Sequence, residues 1–119
     1  MKKKNSIVRG YKAFDEGLIC RGFQYEVGKT YEENEASLCN KGFHFCENPL
    51  DVLDYYDLTQ SKFALVEAED VSDEKDKDTK RVAKKITIKS ELDLPLFIKA
   101  SFDFLWQSIG SKTILDKAK

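Results

Sequence analysis

The sequence predicts an α+β domain: an antiparallel sheet with one short helix and one longer C-terminal helix. Three observations lead there. Short runs of alternating side chains fill the first half of the chain, and turn signals at Asp15-Glu16-Gly17 and Gly28 separate them. Two longer strand-like runs follow, joined by a highly charged connection, and helical spacing enters only after Asn48-Pro49 and again after Pro95. At 119 residues the chain is one domain, 1–119, long enough to bury a core.

The first strands are "SIVRGYKAF", "LICRGFQYEV" and "KTYEE", each alternating in the period of two that a half-buried strand requires. "GFHFC" reads as a further strand, because Gly42 breaks the chain before it. Asn48 then supplies an N-cap, Pro49 the first helical position and Asp51 an acid in the first turn, so a short helix is expected over about 49–57. "KFALVEAE" and "RVAKKITIKSEL" are the next strands, with "EDVSDEKDKDTKR" as a solvated loop between them. In the second, Val82, Ile86 and Ile88 form the apolar face, a bulge or register change is expected near Lys84-Lys85, and this lysine pair would guard a sheet edge. The segment "LPLFIKASFDFLWQSI" gives the long helix, about 95–109, with Phe97, Ala100, Phe104 and Leu105 inward and Lys99, Asp103 and Gln107 on the wet side.

An apolar share of 41% beside 34% charged residues excludes a disordered chain. The basic start "MKKKNSIVRGYKAF" is broken by Arg9 and Lys12 before any apolar signal region forms, and no run reaches membrane-spanning length, so a cytosolic protein is expected. The net charge of −1 is a sum of opposed blocks, since residues 26–78 carry 15 acids against 5 bases. With a pI near 5.9, direct nucleic-acid binding is disfavoured. An acidic face suits a basic partner protein instead. Asp51, Asp54 and Asp57 are the best-placed carboxylates, because a helix holds them without an ordering cost. The apolar C-terminal helix with Trp106 is a second candidate contact surface.

The only histidine and all three cysteines fall between positions 20 and 46. In a strand, His44 and Cys46 project to one side while Phe43 and Phe45 point to the other, so the phenylalanines can anchor a core while imidazole and thiol share a site. Gly42 lets Cys39 fold back toward them, and Cys20 would come from a neighbouring strand. Cys20, Cys39, His44 and Cys46 make up a closed tetrahedral set for one structural zinc ion. The bland alternative is that the cysteines are small buried hydrophobes and His44 a hydrogen-bonded strand residue. A catalytic Cys46–His44 pair lacks an orienting group and an oxyanion hole.

The blocks "YKAF", "CRGFQYEVGKTYE", "LCNKGFHFCENPLDVLDYY", "FALVEAEDV" and "KKITIKSEL" occur in an order that resembles a domain of unknown function in small phage and prophage proteins. The resemblance covers about 8–93, leaves 94–119 as a helical tail, and implies phage origin without any attached chemistry. A second pattern is similar to mono-ADP-ribosyltransferases: Arg9 or Arg21 early, "GFHF" in the middle, and Glu67-Ala68-Glu69 late, though the central Ser-Thr-Ser element is missing. In such an NAD-dependent enzyme Arg21 would hold pyrophosphate, and Glu67 or Glu69 would stabilise the ribosyl cation. Phage kinship and charge together lead to the expectation of a zinc-stabilised, non-enzymatic phage protein. It would act in the cytoplasm of the bacterial host by binding and inhibiting a host defence protein, most specifically a CRISPR effector nuclease.

Overall fold

The computed structural model describes residues 6–37, 41–73 and 79–109. Seven strands appear: β1 (Val8–Phe14), β2 (Ile19–Cys20), β3 (Phe23–Gln24), β4 (Thr30–Glu32), β5 (Phe43–Cys46), β6 (Lys62–Val71) and β7 (Lys80–Leu92). A 3-10 helix, Pro49–Asp54, lies between β5 and β6, and one α-helix, α1 (Leu94–Ile109), follows β7.

The main sheet has the order β4-β7-β5-β1-β6, and β6 returns to pair with β7, so the antiparallel strands close into a small barrel. Closure depends on the length of β7. One of its edges pairs with β6 from Phe63↔Leu92 to Val71↔Ala83. The other serves β5 (Phe43↔Ala83) and β4 (Tyr31↔Ile86) in succession. β7 is therefore central, which corrects the expectation that Lys84-Lys85 guards an edge. The irregularity also lies elsewhere: Leu65 faces Ser90 while Val66 faces Ile88, which leaves Lys89 as the extra residue of a bulge.

Two apolar clusters hold the fold. Inside the barrel lie Phe14, Phe43, Phe45, Val66, Ile86 and Ile88, drawn from β1, β5, β6 and β7 because alternate residues of each strand point inward, and Tyr25 from the segment after β3. Outside it, Ala13, Cys46, Val52, Phe63 and Phe97 join β1, β5 and β6 to the 3-10 helix and α1. Each fully buried Phe or Ile contributes about 1.5–3 kcal/mol.

Three local readings change. "LICRGFQYEV" is a tight hairpin rather than one strand: Arg21 and Gly22 sit at φ +53° and +83° between β2 and β3, which pair Cys20↔Phe23. Positive φ at both central residues is the mark of the two-residue turn that matches strand twist. The short helix ends at Asp54 and is 3-10 rather than α, because only Pro49 and Val52, three apart, are buried. Its start follows expectation, with the Asn48 side chain accepting from the Leu50 N–H at 3.0 Å. α1 starts one residue earlier than expected, where the Asp93 carboxylate accepts from the Leu96 N–H at 3.0 Å.

Candidate functional site

A cavity of about 560 Å³ opens between β1, β5, the β2–β3 hairpin and the segment after the 3-10 helix. Alternation along β5 explains its inner wall. Phe43 and Phe45 enter the barrel cluster, while Cys46 enters the outer one on the other side of the strand, as the period of two requires. Cys20, Phe43, His44 and Cys46 all line the cavity, joined by Lys12, Arg21, Phe23, Tyr25, Tyr55, Tyr56 and Lys80.

The cavity is cationic. Among the described lining residues Lys12, Arg21, Lys41 and Lys80 face a single carboxylate, Glu33. Lys12 is the unusual one, a lysine only 6% exposed in the middle of β1. Its Nζ donates to the His44 carbonyl at 2.7 Å and lies 5.6 Å from the ring centre of Tyr25 and 6.0 Å from that of Phe14. Among the described residues no carboxylate forms an ion pair with it. Burial pushes its pKa below the usual lysine value, opposed by the nearby thiols of Cys20 and Cys46. The same surroundings act on His44, whose pKa is brought down to about 4 by burial first and then by Lys12, Lys80 and Arg21. Its imidazole is neutral at pH 7. Tyr25 and Tyr56 are both raised, chiefly by burial, and the Tyr56 hydroxyl shares a hydrogen bond with Cys20 Sγ at 3.1 Å.

Of the expected zinc ligands, the structure places Cys20, His44 and Cys46 on one cavity, whereas Cys39 lies outside the described residues. Cys20 packs in the barrel cluster against Tyr56, and Cys46 packs in the outer cluster. Among the described residues no three His, Cys, Asp or Glu side chains stand close enough to hold a metal ion.

The transferase pattern is divided: Glu67 meets Arg9, whereas Arg21 stands apart from both glutamates. Arg21 lines the cavity, but Glu67 and Glu69 alternate with the buried Val66 and Ala68 and so point out of the barrel. There Glu67 pairs with Arg9 at 3.5 Å and Lys89 at 3.9 Å, and Glu69 with Lys85 at 3.9 Å.

The three helix carboxylates also separate. Asp51 Oδ2 accepts from the backbone N–H and hydroxyl of Thr79, at 2.9 and 2.7 Å, and so clamps the 3-10 helix to the start of β7. Asp57 accepts from the backbone N–H and hydroxyl of Thr59 in its own turn, which lowers its pKa. Asp54 is exposed. The larger surface feature is α1. Phe97 and Ser101 face inward, while Leu94, Leu96, Ile98, Phe102, Leu105 and Trp106 are exposed, Phe102 by 69% and Trp106 by 64%. Among the described residues no helix is long and apolar enough to cross a membrane.

Sequence reasoning missed Lys12, Tyr25, Tyr56 and Lys80. One signal was available: Lys12 shares the parity of Gly10 and Phe14 in an alternating strand, which places it on the inward face.

No curated protein and no solved structure matches the chain. A family profile matches residues 8–100, from the first residue of β1 into the second turn of α1. The chain belongs to the family described as Domain of unknown function (DUF7666).

Proposed function

We propose that this protein works by binding another protein, and that the outer face of α1 makes the contact. The supporting observation is the row Leu94, Ile98, Phe102 and Trp106, spaced by four residues and exposed together. That spacing is the pattern by which an amphipathic helix enters an apolar groove on a partner. Exposed aromatic anchors of this kind carry most of the energy in protein interfaces. The reading moves the contact away from Asp51 and Asp57, whose carboxylates serve Thr79 and Thr59, and leaves Asp54 as a peripheral charge. With the phage kinship that the sequence resemblance implies, the partner is a host defence protein in the bacterial cytoplasm. A nucleic-acid-guided nuclease is the specific candidate, because its basic groove would attract the acidic block of residues 26–78.

Capture from a CRISPR-bearing host extract tests this, comparing wild type with Phe102→Ala/Trp106→Ala. Both positions are exposed, so the double variant keeps its fold and melting temperature. The expected result is a nuclease retained by wild type and lost with the variant. Retention by both proteins overturns the assignment, as does a dimer of this chain that the variant abolishes.

A second proposal is a structural zinc on Cys20, Cys39, His44 and Cys46, supported by the shared cavity of the three described members and by the neutral imidazole, and it requires those three side chains to draw closer together than they stand here. Elemental analysis of purified protein decides it: one zinc per chain is expected, and metal-free protein whose melting is indifferent to chelator refutes it.

A further inference from the structure

A buried lysine amine can hold its charge only beside a counter-charge, and the described part of this chain supplies Lys12 with none. Taking a charge out of water is expensive unless it is paired. Lys12 has the His44 carbonyl as a neutral acceptor and the Tyr25 and Phe14 rings as weak electrostatic support. It nevertheless lines a cavity large enough for a small organic ligand, the class that occupies pockets of roughly 300–1,000 Å³. Two further cations stand on the same cavity. Arg21 is held at φ +53° in the β2–β3 turn, and Lys80 lies with its Nζ 4.3 Å from the ring centre of Tyr55. Aromatic side chains make up much of the remaining wall. Phe23 and Tyr25 line the cavity and pack edge to face with centroids 4.7 Å apart, Tyr55 and Tyr56 line it too, and Phe23 is half exposed.

We propose that this cavity binds an organic anion with a planar aromatic body, of the mononucleotide class, in which the anionic group meets Lys12, Arg21 and Lys80 and the ring lies against the aromatic wall. The three cations supply charge-assisted hydrogen bonds, Arg21 as a planar fork suited to phosphate. The apolar rings supply stacking that tolerates any base. The site is independent of the outer face of α1, and it is an alternative to a structural zinc on Cys20, Cys39, His44 and Cys46, which would line the same cavity and itself neutralise Lys12.

The test uses the full chain and calorimetric titration with four probes: adenosine monophosphate, adenosine, inorganic phosphate and a single-stranded oligoadenylate. Adenosine monophosphate is expected to bind and to raise the melting temperature, while adenosine and phosphate each bind at least about tenfold more weakly, the loss of one charge-assisted or stacking contact. Lys12→Met keeps the stem and removes the charge. It is expected to melt at or above the wild-type temperature without ligand, because it relieves an uncompensated charge, and to lose the response to adenosine monophosphate. Arg21→Asn retains a residue suited to the left-handed turn, so it folds as wild type and binds about tenfold more weakly.

Absence of binding by adenosine monophosphate overturns the proposal. So does undiminished binding by Lys12→Met or Arg21→Asn, or phosphate alone matching the nucleotide. Tighter binding of the oligonucleotide overturns the small-molecule assignment. Zinc at one per chain without a nucleotide response also overturns it, since three thiolates on one zinc would themselves carry the counter-charge for Lys12.

Discussion

Replacing Phe97 with alanine is expected to release α1 from the barrel without unfolding it. Phe97 is 1% exposed and stacks on Phe63 with ring centroids 4.1 Å apart. Among the described side chains of α1 it is the only large apolar one that is fully buried, since Ser101, the other buried residue, donates its hydroxyl to the Phe97 carbonyl at 2.9 Å. Removing the ring forfeits about 1.5–3 kcal/mol of burial and about 0.5–1.5 kcal/mol of ring pairing, and it leaves a partly collapsed void. A loss of about 3–4 kcal/mol follows. A 16-residue helix is marginal by itself, so α1 cannot absorb that loss while docked. The barrel can persist, because its inner cluster contains no residue of α1. Hydrogen exchange read by mass spectrometry checks this. Amides of 97–107 are expected to exchange about a hundredfold faster in Phe97→Ala, at about 1.4 kcal/mol per tenfold, while β6 and β7 keep their protection. Unchanged protection of α1, or equal loss in helix and strands, refutes the division into two units.

Gly42→Ala combines a left-handed backbone at φ +98° with a Cβ that would lie 2.8 Å from Val82 Cγ2 and 2.9 Å from the Ala83 carbonyl oxygen. It is expected to cost about 2–3 kcal/mol in urea titration, and an unchanged midpoint would show that β5 can shift away from β7. Asp51→Ala is expected to lose about 1–3 kcal/mol with the two Thr79 hydrogen bonds, whereas Asp54→Lys stays within about 0.5 kcal/mol; equal effects would remove the clamp from the account. The raised phenols of Tyr25 and Tyr56 favour the folded chain below the free phenol value of 10.0. Above it the unfolded chain ionises first, so stability falls as pH rises past that value, and near-ultraviolet titration should show both phenols ionising only with unfolding. Ionisation of all five tyrosines at the ordinary value in a folded chain would contradict their burial.

The alternation of "GFHFC" carried its own answer, because four residues with two phenylalanines leave one way to face a core. Asn48-Pro49 likewise announced a helix start from backbone chemistry alone. Its type stayed hidden, since the choice between 3-10 and α rests on how Val52 meets the outer cluster. The hairpin at Arg21-Gly22 escaped because arginine seldom takes the first place of such a turn, where asparagine or aspartate signals it. Barrel closure is a matter of register between β6 and β7, which no local pattern encodes. Lys12 was passed over because a lysine reads as solvent-facing until its neighbours on both sides are known.

The central position of β7 has a kinetic consequence. Strands β4, β5 and β6 all take β7 as a neighbour, and β4 has no other partner among the described residues. Until residues 80–92 are available, the preceding chain holds several unsatisfied strand edges and an apolar inner face open to water. The contacts that close the ring span long stretches of sequence, Tyr31 to Ile86 and Phe43 to Ala83 among them, which makes their formation slow relative to helical domains of similar size. On a ribosome, the barrel therefore waits for most of its sequence to emerge and then folds in one step, with the unpaired strands most exposed to misassociation just before β7 arrives.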